Sequence, residues 1–280
     1  MSAQILDGKL LAQQLRLGLR KARDQLGHRP VHLVSIEVGQ NPAAAVYVRN
    51  QQRAAAEVGI AMEVRNLALG TTQDQLVAAL LELNARPDVT GILVQRPLPP
   101  GIDPRTVQTA IAPNKDVEGM HPENMGAILY REPALPPCTA AAAQQLIVAT
   151  GIDLRGAETV VVGHSEIVGK PIAVLLLHHL STVTVCHVGT RRLIDHTRRA
   201  DILVVAVGKA GLVHGDMIKP GAIVIDVGIN QGADGRIVGD VDFASAKAVA
   251  GFLTPVPGGV GPVTVAMLLR NTLRAAGAAV

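Results

Sequence analysis

Aromatic side chains are nearly missing from this sequence: its 280 residues include two Phe, two Tyr and no Trp. The core must therefore be aliphatic, and each tyrosine stands out. Cysteine is scarce as well. Cys138 and Cys186 form no C-x-x-C pair and no disulfide framework, which favours a reduced, cytoplasmic setting. There is no block of like charge: 26 basic and 23 acidic residues are scattered along the chain for a net +3, with no aromatic-interleaved basic patch. Nucleic acid is accordingly not an expected partner, whereas an anionic small molecule needs only a few local cations. No apolar run is long enough to span a membrane, and the opening MSAQILDGKLLAQQL carries no signal-peptide hydrophobic block. The nine histidines show no metal-binding spacing, and no metal is expected.

What is abundant is aliphatic and small. A hydrophobic fraction of 48% with 28 glycines suits an α/β protein with a well-buried sheet. After Asp7, a plausible N-cap, leucines recur at helical spacing through LLAQQLRLGLRKARDQLG. VHLVSIEVG reads as a buried strand, NPAAAVYVRNQQRAAAEVG as a helix closed by Gly59, AMEVRNL as a second strand, TTQDQLVAALLELNARPDV as a helix and GILVQRPLPP as a third strand. Such alternation implies a parallel sheet covered on both faces. A proline-rich break at REPALPPCT and a connecting helix, AAAAQQLIVATG, precede a second α/β run. The expected organisation is two α/β domains: residues 1–139 completed by a C-terminal helix at 262–280, and residues 140–261.

TVVVGHSEIVGKP reads as a strand, a glycine-bearing turn and a helix. Gly163 permits the tight turn, Gly169 a close approach, and amides at the helix start can receive a diphosphate. The spacing is G-x-S-x-x-x-G rather than G-x-G-x-x-G, and a turn serving only packing would read the same. The following strand ends VTVCHVGTRR, without the carboxylate that would hold the ribose hydroxyls of NAD. Arg191 and Arg192 without an acid favour a 2′-phosphate and hence NADP; a solvated helix start is the plainer reading of the same pair.

On the helix 41–60, Ala44, Tyr47 and Gln51 share one face at spacings of three and four. Arg49 and Arg53 point largely away, so no ionisable side chain is expected beside the tyrosine.

GILVQRPLP, NKDVEGMHPENMG, PPCT, VVVGHSEIVGKP, VTVCH, ADILVVAVG, GAIVIDVGIN, VGDVDF and TPVPGGVGPVTVAMLLRNTL occur in the order and context of one family. Over essentially its whole length the chain resembles the bifunctional methylenetetrahydrofolate dehydrogenase/cyclohydrolases, the FolD family. The resemblance implies a cytoplasmic homodimer whose subunit has a folate-binding cleft between a catalytic domain and a Rossmann-type NADP-binding domain. It implies oxidation of methylenetetrahydrofolate to the methenyl cation with NADP, then hydrolysis to formyltetrahydrofolate. By the same resemblance, Tyr47 packs along the aminobenzoyl ring and Gln95 is the active-site glutamine. Glu118 stands where an aspartate usually meets the pterin, and Pro257, Gly258 and Gly259 lie near the substrate, as does the Ala44 position. Gly163, His164, Ser165, Val168, Gly169, Pro171, Gly208 and Ile229 fall on the cofactor side, with Arg191 and Arg192.

The departures from the family pattern cluster where the chemistry should be. The family motif is Y-x-x-x-K, its lysine the base or proton relay; here that position is Gln51. Ala44 replaces a serine, Gln40 an aspartate, and Arg96 and Ala140 also depart. Hydride transfer needs positioning and no proton acceptor. Hydrolysis needs proton transfer, which an amide cannot supply near neutral pH. Two functions are expected from this: an NADP-dependent dehydrogenase with weak or absent cyclohydrolase activity, or an inactive paralogue acting by ligand binding.

Overall fold

The computed structural model describes residues 2–39, 42–130, 133–232 and 235–280, without the side chains of residues 42–44. Gln40, and the side chain of Ala44, lie outside the described residues. In chain order the strands are β1 (Gln4–Ile5), β2 (His32–Val38), β3 (Ala61–Leu67), β4 (Gly91–Val94), β5 (Glu158–Val162), β6 (Thr182–Cys186), β7 (Ile202–Val205), β8 (Ile223–Asp226), β9 (Asn230–Gln231), β10 (Ile237–Val238) and β11 (Phe252–Leu253). The helices are α1 (Gly8–Gln25), α2 (Pro42–Val58), α3 (Gln73–Ala85), α4 (Pro104–Ala110), α5 (Pro122–Tyr130), α6 (Cys138–Val148), α7 (Gly169–Leu177), α8 (Leu193–Thr197), α9 (Phe243–Lys247) and α10 (Val260–Ala275). The chain divides into two compact units: Met1–Gln13 with Thr139–Thr264, and Gln14–Cys138 with Val265–Val280.

The unit containing residues 14–138 is built on a parallel sheet in the order β3-β2-β4. Residues alternate faces along a strand, and the central strand β2 shows what each face does. Val34 and Ile36 pack with Leu76, Leu80 and Leu83 of α3 and Val107 of α4 in one apolar cluster. Ser35, fully buried, points the other way. Local chemistry sets the helix ends. Asp7 Oδ1 accepts from the amides of Lys9 (2.8 Å) and Leu10 (3.2 Å), capping α1. Thr72 and Gln75 form a reciprocal capping box on α3. α2 closes where Gly59, at φ +86°, donates its amide to Ala55 O.

The other unit carries a parallel sheet in the order β6-β5-β7-β8-β11-β1. Its core is mainly aliphatic, with Val160, Val162, Leu203, Val205, Val224 and Leu253 among the buried members beside Cys186. The chain runs from β5 outward to β6, then crosses back to place β7 on the other side of β5. The crevice outside the carboxyl ends of β5 and β7 is therefore a topological switch point, where open α/β sheets bind ligands. Two features differ from the sequence reading. Residues 4–5, assigned there to the first domain, extend this sheet by pairing with Phe252–Leu253. A short antiparallel ribbon, β9 with β10, follows β8.

Candidate active site

Val48, Gln51, Ala55 and Val58 recur at helical spacing on the buried face of α2, and Gln51 is 2% exposed among these apolar neighbours. A buried amide needs partners, and Gln51 has them. Its Oε1 accepts from Gln95 Nε2 at 2.8 Å, and the same nitrogen donates to Ser35 Oγ at 3.0 Å. Gln51 also hydrogen-bonds the Tyr47 side chain. Tyr47, Gln51, Gln95 and Ser35 thus form one chain of neutral groups spanning α2, the end of β4 and the middle of β2. Tyr47 keeps 39% of its surface exposed, so its ring offers a face to a ligand while its hydroxyl stays crowded. Burial, reinforced by Glu118 and Cys138, pushes that hydroxyl up to about 12. It does not ionise near neutral pH.

Glu118 qualifies the expectation that nothing ionisable stands beside Tyr47. The carboxylate comes from a different segment, and its position follows from how that segment is tied down. Lys115 Nζ donates to the carbonyls of Leu83 (3.1 Å), Asn84 (2.9 Å) and Arg86 (2.6 Å), capping the end of α3. Asp116 accepts from Gln108 Nε2 (3.0 Å), His121 N (2.7 Å) and Asn124 Nδ2 (2.9 Å). Asn271 of α10 donates to Val117 O at 2.9 Å and Pro136 O at 2.8 Å. The Lys-Asp-Val of NKDVEG is committed to architecture, and Glu118 is the acid left over. Burial first, then repulsion from Asp116, raises its carboxyl to about 7 against a smaller pull from Arg96. Burial and Glu118 also hold the Cys138 thiol well above its usual range. Sequence reasoning missed Ser35, whose signal was a lone hydroxyl inside an apolar strand.

In the other unit, the turn after β5 is packed without room for side chains. Gly163, at φ +123°, would drive a Cβ into the Ala206 carbonyl, and a Cβ on Gly169 would strike Gly163 O. Both glycines are required by close approach, as either sequence reading allowed. Ser165 Oγ accepts from the amides of Val168 (3.2 Å) and Gly169 (3.4 Å), and Ser165 O from Lys170 N (3.0 Å). The first amides of α7 are thus held by the turn itself, and Pro171 has none. The exposed stretch His164–Ile167 is what this turn presents to solvent. His164 stands edge-on to His187 of the next strand end, centroids 5.2 Å apart.

Arg191 and Arg192 are both exposed after β6, but they are not equivalent. Arg192 Nε pairs with Asp195 Oδ2 at 2.8 Å, an acid placed just beyond the pair. Arg191, exposed, has no ion-pair partner among the described residues. Gly208, at φ +70°, lies in the turn after β7, and Ile229, 72% exposed, follows β8. Both sit at carboxyl ends of the sheet, as Gly163 does. The group Pro257, Gly258 and Gly259 follows β11, where Gly259 lies against Gly8 at the start of α1. A glycine-lined turn at the switch point, with an exposed arginine after the neighbouring strand, is a cradle of the kind a phosphorylated dinucleotide fits.

Residues 6–118 match the family described as tetrahydrofolate dehydrogenase/cyclohydrolase, catalytic domain, and residues 137–280 match its NAD(P)-binding domain. The chain is 52% identical over 278 residues to the bifunctional protein FolD of Rhodobacter capsulatus, covering 97% of this chain and 93% of that one. The solved bifunctional FolD methylenetetrahydrofolate dehydrogenase/cyclohydrolase of Campylobacter jejuni superposes with a TM-score of 0.94 at 42% identity, covering 99% of each chain. The Trypanosoma brucei methylenetetrahydrofolate dehydrogenase-cyclohydrolase, solved with NADP and an inhibitor, gives 0.93 at 39% identity, covering 98% of this chain and 97% of that one.

Proposed function

This chain belongs to the tetrahydrofolate dehydrogenase/cyclohydrolase family, and on that premise we propose that it oxidises methylenetetrahydrofolate with NADP while hydrolysing the methenyl product only weakly. The observation that carries the reading is the neutral chain Tyr47–Gln51–Gln95–Ser35. Gln51 is buried and hydrogen-bonded within it, at the position where the family resemblance puts a proton-carrying lysine.

The two reactions separate on this point. NADP, when bound, supplies the hydride acceptor. The protein's share of that step is to hold the folate still. Tyr47 offers an exposed ring face for the aminobenzoyl ring, and the Gln51 and Gln95 amides tolerate a developing cation without repelling it. Hydrolysis asks more: a water must lose a proton as it attacks, and the departing nitrogen must gain one. Gln51 cannot ionise, and the Tyr47 hydroxyl and Cys138 thiol are both pushed away from neutrality. Loss of general acid–base help costs on the order of 10²–10⁴ in rate.

Glu118 supports a second reading. A carboxyl raised to about 7 can exchange a proton at neutral pH beside Tyr47, and any hydrolysis the protein retains is assigned to it. NADP is preferred to NAD through Arg191. A cytoplasmic homodimer is part of the proposal, carried by the resemblance alone. The test is to supply methylenetetrahydrofolate and NADP and to measure NADPH and formyltetrahydrofolate separately; absence of NADPH would leave the ligand-binding paralogue as the better account.

A further inference from the structure

The turn Val207–Lys209 follows β7 on one side of the switch point, and Ala206 just before it packs against Gly163 on the other. Three successive main-chain N–H groups of this turn converge on a single carboxylate. Asp240 Oδ2 accepts from Val207 N at 2.6 Å and Gly208 N at 3.0 Å; Oδ1 accepts from Lys209 N at 2.8 Å and from Asn230 Nδ2 at 2.8 Å. Asp240 is fully buried. Successive amides curled in this way make a nest for an anion. Here the anion is built into the protein.

A second carboxylate holds the first. Asp226, at the end of β8, accepts from Asp240 N (3.0 Å) and Gly228 N (2.9 Å) on Oδ1 and from Val241 N (2.9 Å) on Oδ2. Main-chain bonds from Gly211 N to Gly239 O (3.1 Å) and Val213 N to Asp240 O (3.1 Å) align the two segments. There is no room to vary the arrangement. A Cβ on Gly228 would collide with the Asp240 carboxyl, and one on Gly239 with that of Asp226. The segment after the β9–β10 ribbon is thereby fastened to the turn that borders the crevice.

We propose that Asp240 is a positioning residue for the dinucleotide: by filling the amide nest of Val207–Lys209 it fixes the turn over which the half of the cofactor remote from the 2′-phosphate lies. The inference rests on the cofactor reading above. Arg191 follows β6, on one side of β5, whereas the Asp240-held turn follows β7, on the other. A dinucleotide whose 2′-phosphate meets Arg191 and whose diphosphate crosses the Gly163 turn reaches Val207–Lys209 only with its far half. Both oxygens of Asp240 accept two hydrogen bonds, so an amide in either orientation would set its NH₂ against two donors.

Asp240→Asn is expected to weaken NADP binding about tenfold by calorimetry. Adenosine 2′,5′-bisphosphate, which contains only the half near Arg191, should bind within twofold of wild type, and so should tetrahydrofolate. Asn230→Ala removes one donor and should weaken NADP about threefold with the same selectivity. Equal NADP affinity in Asp240→Asn and wild type overturns the inference, as does a parallel loss of NADP and the bisphosphate in a folded variant. If Asp240→Asn does not fold, Asn230→Ala decides alone, and unchanged NADP affinity there overturns it. Wild-type protein that binds neither NADP nor the bisphosphate overturns the cofactor reading, and this inference with it.

Discussion

Replacing Gln51 with lysine probes the proposed loss of proton transfer, and the structure sets the size of the response. The new ammonium would sit where the Gln51 amide lies, facing Gln95 Nε2, itself a donor. Donor against donor is unfavourable, but Gln95 has a remedy. Its Nε2 makes both of its bonds here, one to Gln51 and one to Ser35 Oγ. Rotating the amide by half a turn brings Oε1 to the same place, where it can accept from the ammonium and from the Ser35 hydroxyl. The number of hydrogen bonds is conserved, and the cost is the reorientation, on the order of 1 kcal/mol, about fivefold in rate. Burial lowers the lysine pKa toward the range useful in proton transfer, while Glu118 opposes too deep a fall. Against the 10²–10⁴ that acid–base help supplies, hydrolysis should rise about 20- to 2000-fold. The assay starts from methenyltetrahydrofolate and follows its disappearance over the uncatalysed background. A folded Gln51→Lys protein that binds folate yet hydrolyses no faster than wild type would refute the reasoning.

Glu118→Gln should abolish whatever hydrolysis wild type retains and remove its inflection near pH 7. Because the folded pKa is raised, the carboxyl's stabilising contribution is present below about 4.5 and is lost as pH rises through about 7. The variant should therefore gain up to about 3 kcal/mol on wild type at pH 8 and nothing at pH 4, read by urea unfolding. Arg191→Ala should weaken NADP about tenfold and leave NAD unchanged, as expected for one exposed charge-assisted contact; Arg192→Ala, already paired with Asp195, should do less, by calorimetry with both nucleotides. Asn271→Leu leaves Pro136 O without its donor and Val117 O with only the weak Cys138 thiol, and should cost about 1–3 kcal/mol of stability in denaturant unfolding.

Much of the fold was legible because its signals are local. Asp7 and Gly59 mark helix ends through bonds spanning a few residues, and apolar runs announced the buried strands. The pairing of Gln4–Ile5 with Phe252–Leu253 was not legible: two residues carry no periodicity, and their partner lies at the far end of the sequence. The site divides in the same way. Tyr47 and Gln51 share a helix face by spacing alone. Gln95 and Ser35 join them through sheet geometry, which no local pattern encodes. Glu118 could be singled out by type and context, but its titration near neutrality is a product of burial beside Asp116. Asp240 reads in sequence as one more acid in VGDVDF; its work depends on a turn some thirty residues earlier.

The most direct measurement follows both products of one reaction. Wild-type protein is mixed with methylenetetrahydrofolate and saturating NADP, and NADPH, the methenyl cation and formyltetrahydrofolate are tracked together in time. The account predicts that NADPH and the methenyl cation rise in parallel, with formyltetrahydrofolate appearing only slowly, near the uncatalysed rate. Formyltetrahydrofolate formed in step with NADPH, without build-up of the methenyl cation, would contradict it.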